Sequence, residues 1–424
     1  MIASKKSNLL VSLGSFRFFS AVIIAIVLFA FAGVSWVYIQ PHVTASEGAS
    51  GMQAVAPMRN PLYLIVRRAN RLNSVLESSV LVVDPTSGKV IKSFDAGYNA
   101  VAKLTTDKRI LYIFNQPLTG NEGALSAIDP LTGAVLWKAI LPGWPAVGLP
   151  TDGIWLSSDE KLLYLQATVG GLTLHIFAMN AATGAFVHDF VLQTPYATNV
   201  AFPRTWKLPW AEMLVVVPRD QLFTFDLASG KSGNSINLVD PPSVQHIPRN
   251  FPKGYYVQDG AIDPDTHKLI LATAPQEIVS VDLNQQPFTS KRVFSLPAGW
   301  LFGGGSLVLA NSKEKALYVQ VKHTDTPVLN GTEAEQVWTL DTTTWTQKSQ
   351  LSLRDQLAKF TNSSVSNVDL RNYGLFLSND GQSVYALASS GFIRMNHDAS
   401  GNLNGNWLDL GAQLQSLSWY GIVQ

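Results

Sequence analysis

The side chains that most often carry out chemistry are sparse in this chain and are not spaced as in a familiar active site. There are seven histidines and no cysteines. Without cysteine the chain can form no disulfide, thiolate nucleophile or Cys-ligated metal site. The histidines lack the His-Glu-x-x-His spacing of zinc enzymes, and no Gly-x-Ser-x-Gly hydrolase elbow stands out. The sequence therefore predicts no metal site, and it indicates no catalytic residue.

Two segments resemble known ligand-binding loops, one for calcium and one for phosphate, but each lacks an essential feature. From Asn396 to Gly401 the polar spacing is that of the start of a calcium loop, yet Trp407 stands where a bidentate glutamate is required. The run Gly303 to Gly305 has neither the Gly-x-Gly-x-x-Gly spacing nor a following helix. We interpret the first as a hairpin turn and the second as a crowded inner strand.

The composition describes a folded protein with little net charge. Apolar residues make up 46% of the 424 and charged residues only 14%, with 31 basic and 30 acidic side chains. Such a chain has enough apolar material for a sizeable core. The balanced charge also excludes nucleic-acid binding that depends on a strongly basic protein.

An uncharged run of 22 residues, 18–39, predicts one transmembrane helix. At about 1.5 Å per residue it is long enough to cross a hydrocarbon core of about 30 Å. A cleaved signal peptide is the alternative, because Val43 and Ala45 suit a small-residue cleavage site. The run is longer than the usual signal-peptide core of about 7 to 15 residues, so we favour an uncleaved membrane anchor.

The flanking charges predict the orientation of this helix. Lys5, Lys6 and Arg17 precede the run, and no basic residue follows until Arg59. By the positive-inside rule, residues 1–17 are cytoplasmic and the rest of the chain is extracytoplasmic at the cell membrane. Residues 40–58 are small and polar, as in a flexible linker, and residues 59–424 form the folded domain.

The folded domain is built of repeats. A strand-like run that ends in Asp or Asn, followed by a tight turn that usually contains Gly, recurs seven times at intervals of 45 to 59 residues. The Asp or Asn residues are Asp84, Asp129, Asn180, Asp226, Asp282, Asp341 and Asn396. Each repeat also has a second apolar run before it and alternating runs around it. These patterns predict an all-β, seven-bladed β-propeller of four-stranded antiparallel blades.

The two ends of the repeat region predict how the ring closes. The first blade begins at its second strand, 62–66, whereas the C-terminal run 417–423 is an inner strand without a blade of its own. We expect the two to pair, which leaves no exposed sheet edge at the axis. The turns of the fifth and sixth repeats lack Gly, so we expect them to be irregular.

The segment Ala127 to Trp137, AIDPLTGAVLW, resembles the repeat of quinoprotein propellers, the PQQ-repeat family. The segment LSNDGQSVYAL resembles the YVTN and WD40-like bacterial propellers. These resemblances imply the propeller fold, which serves both cofactor enzymes and binding scaffolds. The chain has no adjacent cysteine pair of the kind common in quinoprotein dehydrogenases, so we expect no bound quinone and no other cofactor.

Loop lengths divide the propeller into two faces. Turns after the first and third strands of each blade are short, and we call their side the short-turn face. The other connections form the long-loop face: 67–79, 115–124, 141–153, 238–256, 296–302, 321–335 and 351–372. In the last of these, Leu353, Leu357 and Phe360 have the spacing of a short amphipathic helix.

Long loops on a rigid scaffold are common binding sites, so the long-loop face is the expected working surface. Its candidate contact residues are basic or aromatic side chains: Arg67, Arg68, Trp144, Trp206, Trp210, Tyr255, Tyr256 and Trp300. The alternative is that the arginines lie in a solvated loop and the aromatic residues pack between blades.

Taken together, these features predict a non-catalytic binding or scaffolding module that is attached to the membrane by its N-terminal helix. Its partner is an unidentified protein or small molecule. The alternative function is a propeller enzyme, such as a lactonase or a quinoprotein-like oxidoreductase, with its site at the central channel. Ionisable groups that converge at the axis would favour the enzyme, whereas an uncharged aromatic rim would favour the binding module.

Overall fold

The structure is a computed structural model of the chain. It describes residues 61–69, 76–116, 120, 122–145, 153–169, 173–192, 203–218, 221–238, 257–273, 276–309, 314–323, 336–361, 372–378, 383–388, 391–398, 401–410 and 417–423. The expected transmembrane segment 18–39, the linker 40–58 and the candidates Tyr255 and Tyr256 lie outside this set. Within it, no helix is both long and apolar enough to cross a membrane.

The described residues form antiparallel strands arranged in six sheets. The first sheet contains β1 (Leu62–Ala69), β2 (Leu76–Val83), β3 (Val90–Leu104), β4 (Leu111–Gln116), β5 (Gly123–Ile128) and β6 (Val135–Leu141). The second contains β7 (Trp144–Pro145), β8 (Ile154–Leu156), β9 (Leu162–Val169), β10 (Thr173–Asn180) and β11 (Phe186–Val191).

The next two sheets have four strands each. The third contains β12 (Arg204–Lys207), β13 (Met213–Val217), β14 (Gln221–Asp226) and β15 (Lys231–Asn237). The fourth contains β16 (Val257–Asp263), β17 (Lys268–Thr273), β18 (Glu277–Asp282) and β19 (Thr289–Ser295).

The last two sheets also have four strands each, and one further strand follows them. The fifth contains β20 (Trp300–Leu309), β21 (Ala316–His323), β22 (Gln336–Asp341) and β23 (Gln347–Ser352). The sixth contains β24 (Asn372–Leu377), β25 (Val384–Ala388), β26 (Gly391–His397) and β27 (Leu403–Asp409). Strand β28 (Leu417–Ile422) returns to the first sheet.

The predicted count of seven blades is wrong, because the described strands form six hydrogen-bonded sheets. The difference lies in β3, which is 15 residues long and continues without a break from one repeat into the next. Its residues Val90 to Tyr98 pair with β2, and Tyr98 to Leu104 pair with β4. The first two sequence repeats therefore merge into one seven-stranded sheet. The number of turn motifs gives the number of sequence repeats. It does not show whether two consecutive repeats form separate sheets or one continuous sheet.

The C-terminal strand joins the first sheet, as expected. Strand β28 pairs antiparallel with β1, with Leu64 opposite Ile422 and Val66 opposite Tyr420. The amide of Val423 donates a hydrogen bond of 2.8 Å to the carbonyl of Tyr63 and extends the pairing. The two ends of the folded domain are thus held in one sheet.

Apolar clusters connect each sheet to the next and the sixth sheet back to the first. Phe114 and Leu165 belong to the cluster between the first and second sheets, and similar clusters follow around the ring. The last cluster joins Phe392 of the sixth sheet to Leu64 and Leu81 of the first. This closed sequence of contacts is that of a β-propeller.

The repeated turns have the chemistry that their sequence predicts. At Asp129 the carboxylate accepts hydrogen bonds from the amides of Leu131 and Thr132, and Gly133 closes the turn in the left-handed region with φ of 74°. The sixth repeat, which we expected to be irregular, has the same turn. Trp345 takes the left-handed position there, with φ of 56°, and donates its amide to the carbonyl of Asp341.

The predicted short helix is present as α1 (Leu353–Thr361), between β23 and β24. Leu353 and Leu357 are buried in the cluster shared by the fifth and sixth sheets. Phe360 is exposed on one side and stacks on Trp407 at 6.1 Å between ring centroids.

Packing between repeats predicts that alanine substitution destabilises the protein more at Gly184 than at Gly401. Gly184 and Gly401 have φ of 70° and 80°. A Cβ at Gly184 would lie 2.5 Å from the ring of Trp137, whereas a Cβ at Gly401 would meet nothing within 4 Å. Left-handed strain costs each variant about 1 to 2 kcal/mol, and the clash should cost Gly184→Ala about 1 to 3 kcal/mol more. Urea unfolding measures both losses, and equal losses would contradict this packing.

Candidate ligand-binding site

A cavity of about 630 Å³ opens at the ends of inner strands from four different sheets. It lies on the short-turn face, where β3, β8, β12 and β24 end. Several first strands contact the first strand of the next sheet: β3 contacts β8, β12 contacts β16, β16 contacts β20, and β20 contacts β24. These strands therefore lie side by side around the axis. The lining residues are Lys103, Leu104, Thr105, Thr106, Lys108, Trp155, Leu156, Ser157, Ser158, Glu160, Lys207, Leu208, Pro209, Leu377 and Ser378.

A short pattern in the sequence positions this lining. Each of these strands ends in a large or basic residue, then Leu, then Thr, Ser or Pro: Lys103-Leu104-Thr105, Trp155-Leu156-Ser157, Lys207-Leu208-Pro209 and Phe376-Leu377-Ser378. Leu104, Leu156 and Leu208 are buried. Because side chains alternate along a strand, the residue before each Leu points to the opposite side of its strand. Lys103, Trp155 and Lys207 thereby occupy equivalent positions around the cavity.

Carboxylates link the short turns of neighbouring sheets. Glu160 accepts hydrogen bonds from the amide and hydroxyl of Thr106, at 2.9 and 2.6 Å. Glu212 accepts the same pair from Ser158, both at 2.7 Å. These contacts fix the turns that form the cavity mouth and tie three sheets together there.

Glu212 also carries the main ion pair of this region. Lys207 Nζ lies 3.2 Å from Glu212 Oε1, and only 11% of the lysine side chain is exposed. Burial raises the pKa of the Glu212 carboxyl, but the hydrogen bonds from Ser158 and the charge of Lys207 outweigh it. The pKa of Glu212 therefore lies below its usual range, and the group is ionised at neutral pH.

Lys103 has a different environment from Lys207. Loss of hydration lowers the pKa of Lys103, the charge of Lys207 lowers it further, and the charge of Glu160 opposes both effects. Among the described residues, none forms a hydrogen bond or ion pair with the Lys103 ammonium. The lysine is only partly exposed, at the wall of the cavity.

Tyrosines behind the inner strands stay neutral. Burial, followed by nearby carboxylates, raises the pKa values of Tyr112 and Tyr164 to about 12. The hydroxyl of Tyr112 donates a hydrogen bond to the carbonyl of Ala181 at 3.0 Å. Tyr112 packs between the first and second sheets and Tyr164 between the second and third, so both are structural contacts.

The two arginine candidates, Arg67 and Arg68, lie in strand β1 rather than in a loop. Arg67 is only 6% exposed and donates hydrogen bonds to the carbonyls of Asn99 and Ala100, at 3.1 and 2.8 Å. Burial lowers its pKa to about 10. Arg67 thus holds the middle of the long strand β3, and only Arg68 is exposed.

Two tryptophan candidates lie away from the long-loop face, which corrects the sequence assignment. Trp210 lies in the short turn between β12 and β13 and stacks on His267 at 4.0 Å between ring centroids. Trp206 is at the same end of β12, and its indole nitrogen donates to the carbonyl of Gly260 at 3.1 Å. Both pack against the cluster between the third and fourth sheets, as in the alternative interpretation.

The remaining described candidates, Trp144 and Trp300, do lie at the long-loop end of their sheets. Trp144 pairs with Thr168 near the end of β9. Trp300 begins β20 and packs against Trp338 and His323, at 5.0 and 5.4 Å between ring centroids. Each is half-buried, so each offers only part of its ring to a partner.

The two segments that resemble ligand-binding loops, 396–401 and 303–305, have structural roles. Asp398 closes a hairpin turn: its carboxylate accepts from the amide of Asn402 at 2.9 Å. Gly303 to Gly305 lie within β20, where the pairing with β21 is interrupted. Within the described part of the chain, no three histidine, aspartate or glutamate residues are grouped as metal ligands.

Sequence reasoning missed the axial cavity. Lys103 and Lys207 each lie in a run of alternating apolar and polar residues, and a lysine in such a run is normally predicted to be solvent-exposed. The signal that identifies them is the repeated end of the inner strands, which places equivalent positions of different repeats side by side.

Comparison with known proteins gives the fold and no family. No family profile and no curated protein match the chain. Solved structures do match: a functionally unknown protein from Desulfotomaculum acetoxidans is 11% identical with a TM-score of 0.53, over 86% of this chain and 99% of that one. The chain is a β-propeller.

Two further neighbours have named activities. A putative 6-phosphogluconolactonase from Bacteroides fragilis is 13% identical with a TM-score of 0.52, over 88% of this chain and 100% of that one. The dihydro-heme d1 dehydrogenase NirN is 14% identical with a TM-score of 0.50, over 91% and 79%. At these identities the likeness establishes the propeller fold alone.

The Glu212 contacts predict a pH-dependent loss of stability in Glu212→Gln. A folded-state pKa below the unfolded value of about 4.3 means that the carboxylate stabilises the fold above that pH, and that this contribution is lost as the pH falls through the folded value. The variant should lose about 1 to 2 kcal/mol of unfolding free energy at neutral pH. The difference from the wild type should close as the pH falls below the unfolded value of about 4.3 and through the lower folded value.

Urea unfolding across this pH range is the measurement. Glu122→Gln is the matched control, because Glu122 is exposed just before β5. An unchanged stability of Glu212→Gln at neutral pH, or a loss that persists in acid, would contradict the role of the carboxylate.

Proposed function

We propose that this protein is a membrane-anchored, extracytoplasmic binding module that holds a small molecule in the axial cavity of its propeller. The observation that carries the proposal is the cavity itself, about 630 Å³ in volume and lined from four sheets. Cavities of about 300 to 1,000 Å³ are the usual size for metabolite-sized ligands. The anchor is residues 18–39, supported by their length and by the basic residues before them.

The lining has the composition of a binding site. Trp155 and the leucines at the strand ends supply apolar wall, while Lys103, Lys108 and Glu160 supply a few polar groups that can orient a ligand. The contacts of Glu160 with Thr106 and of Glu212 with Ser158 hold the mouth in place before a ligand arrives. A preformed site loses less entropy when a ligand binds.

The residues that line the cavity favour binding without catalysis, because the carboxylate of Glu160 already accepts hydrogen bonds from the protein. Glu160 accepts two hydrogen bonds from Thr106 through one oxygen. No histidine or aspartate is among the residues that line the cavity. The described lining therefore lacks the histidine or aspartate that often serves as a general base.

An enzyme remains the second candidate, because ionisable groups do converge at the axis. The lowered pKa of Lys103 beside the charge of Glu160 is the kind of perturbation found at reactive sites. A lactonase is the reaction class to test first, since one propeller of similar fold is named as a putative 6-phosphogluconolactonase.

The long-loop face stays a second proposed surface, for a protein partner. Trp144 and Trp300 are the aromatic residues at that end of their sheets, and half-buried aromatic residues are common anchors of interfaces. This surface would operate independently of the axial cavity, since the two lie at opposite ends of the strands.

Blocking the cavity mouth should abolish small-molecule binding. The probes are a panel of neutral sugars, amines, carboxylates and sulfated or phosphorylated compounds, screened by ligand-detected NMR. Lys108→Trp narrows the mouth, and Lys315→Trp is the matched control. Both lysines are in left-handed turns, with φ of 60° and 46°, but Lys315 does not line the cavity.

We expect compounds that bind the wild type to lose at least about 90% of their binding signal with Lys108→Trp and to keep it with Lys315→Trp, a tenfold weakening. Recovery of each bound compound unchanged supports the binding module, and its conversion supports the enzyme. Equal binding by both variants would show that the cavity is not the site.

A further inference from the structure

Two lysines line the axial cavity, and they have different partners. Lys103 ends β3 in the first sheet and Lys207 ends β12 in the third, and both line the cavity. The charge of Lys207 is close enough to lower the pKa of Lys103. Two like charges that share a poorly hydrated space repel each other, and each also loses hydration.

The acidic groups nearby accept their hydrogen bonds from residues other than Lys103. Glu212 pairs with Lys207, and its Oε1 also accepts from Ser158. Glu160 Oε1 is occupied by Thr106. The charged groups that share the cavity with Lys103 are Lys108, Lys207 and Glu160, and Glu212 is paired with Lys207. The Lys103 ammonium has no hydrogen-bond acceptor among the described residues.

The hydroxyl groups of the lining are also committed. Thr105 donates to Asp107 at 2.7 Å, and Ser157 donates to Asp159 at 2.7 Å. These bonds fold the short turns back on themselves, outside the cavity. The ammonium of Lys103 is therefore a cationic donor of this wall that can bind a ligand.

We propose that the axial cavity selects a small anion, with a carboxylate or phosphate-type oxyanion bound at Lys103 and the rest of the ligand against Trp155 and the leucines. The proposal rests on the proposed function and names its ligand class. An oxyanion supplies the acceptor that Lys103 lacks and lowers the repulsion between the two lysines. Charge-assisted hydrogen bonds of this kind are stronger than neutral ones.

Such a site has a defined pH dependence. The free protein disfavours the protonated form of Lys103, and a bound anion favours it. Affinity should therefore be highest below the lowered pKa of Lys103 and fall as the pH rises through it.

The test is isothermal titration calorimetry of the full-length protein with two probes. Sulfate represents the phosphate-type group and keeps its charge across the pH range, and succinate represents the carboxylate. Lys103→Met removes the ammonium and keeps the length of the side chain. Lys138→Met is the control, because Lys138 is exposed on the outer strand β6.

We expect at least one probe to bind the wild type and Lys138→Met alike, and to bind Lys103→Met at least about tenfold more weakly. The wild-type affinity should fall with rising pH before the pH reaches about 10.4, the ordinary pKa of lysine, and this early fall should be absent in Lys103→Met. Binding of sulfate alone assigns a phosphate-type ligand, and binding of succinate alone assigns a carboxylate.

Without a ligand, Lys103→Met should melt at a higher temperature than the wild type, because it removes a poorly hydrated charge. That result shows that the variant folds, and Lys103→Gln serves as a second variant if it does not. Failure of both probes to bind the wild type, or equal binding by Lys103→Met, overturns the anion proposal. If neutral sugars still bind and are lost in Lys108→Trp, the proposed function survives while this inference fails.

Discussion

The pairing of β28 with β1 is the constraint on which the rest of the structure depends. It adds the last strand of the chain to the first sheet, opposite Leu64 to Arg68. Without it, β1 would be an unpaired edge at the axis, and the cluster that joins Phe392 to Leu64 would lose its support. Closure turns a row of sheets into a ring, and only a ring brings the ends of β3, β8, β12 and β24 around one cavity.

The same closure explains why charge collects at the axis. Each repeat contributes one equivalent position at the end of its inner strand, and these positions are occupied by Lys103, Trp155 and Lys207 in the first three sheets. In a single blade, either lysine would extend into water. In the ring, loss of hydration lowers the pKa of Lys103, the charge of Glu160 opposes this fall, and the charge of Lys207 adds to it. Its unsatisfied ammonium is the feature that connects the fold to the proposed anion ligand.

The sequence predicted the elements far better than the site. Turn residues such as Asp129 and Gly133 act locally, so their pattern identified the strands, the fold class and the closing strand. Continuity of β3 depends on the contacts of Arg67 with the carbonyls of Asn99 and Ala100, which are distant in sequence, so seven blades were expected where there are six sheets. The positions of Trp206 and Trp210 were hard to predict for a similar reason, because they pack between sheets against residues distant in sequence. Trp144 and Trp300 remain candidates for the long-loop face.

Native-state hydrogen exchange of the C-terminal strand tests ring closure most directly. If closure holds the propeller together, the amides of residues 417–423 that pair with β1 should exchange as slowly as those of the central strands β13 and β17, through global unfolding. Exchange of this segment at the rate of a frayed terminus, while the central strands stay protected, would contradict closure. It would also remove the basis for a preformed axial cavity.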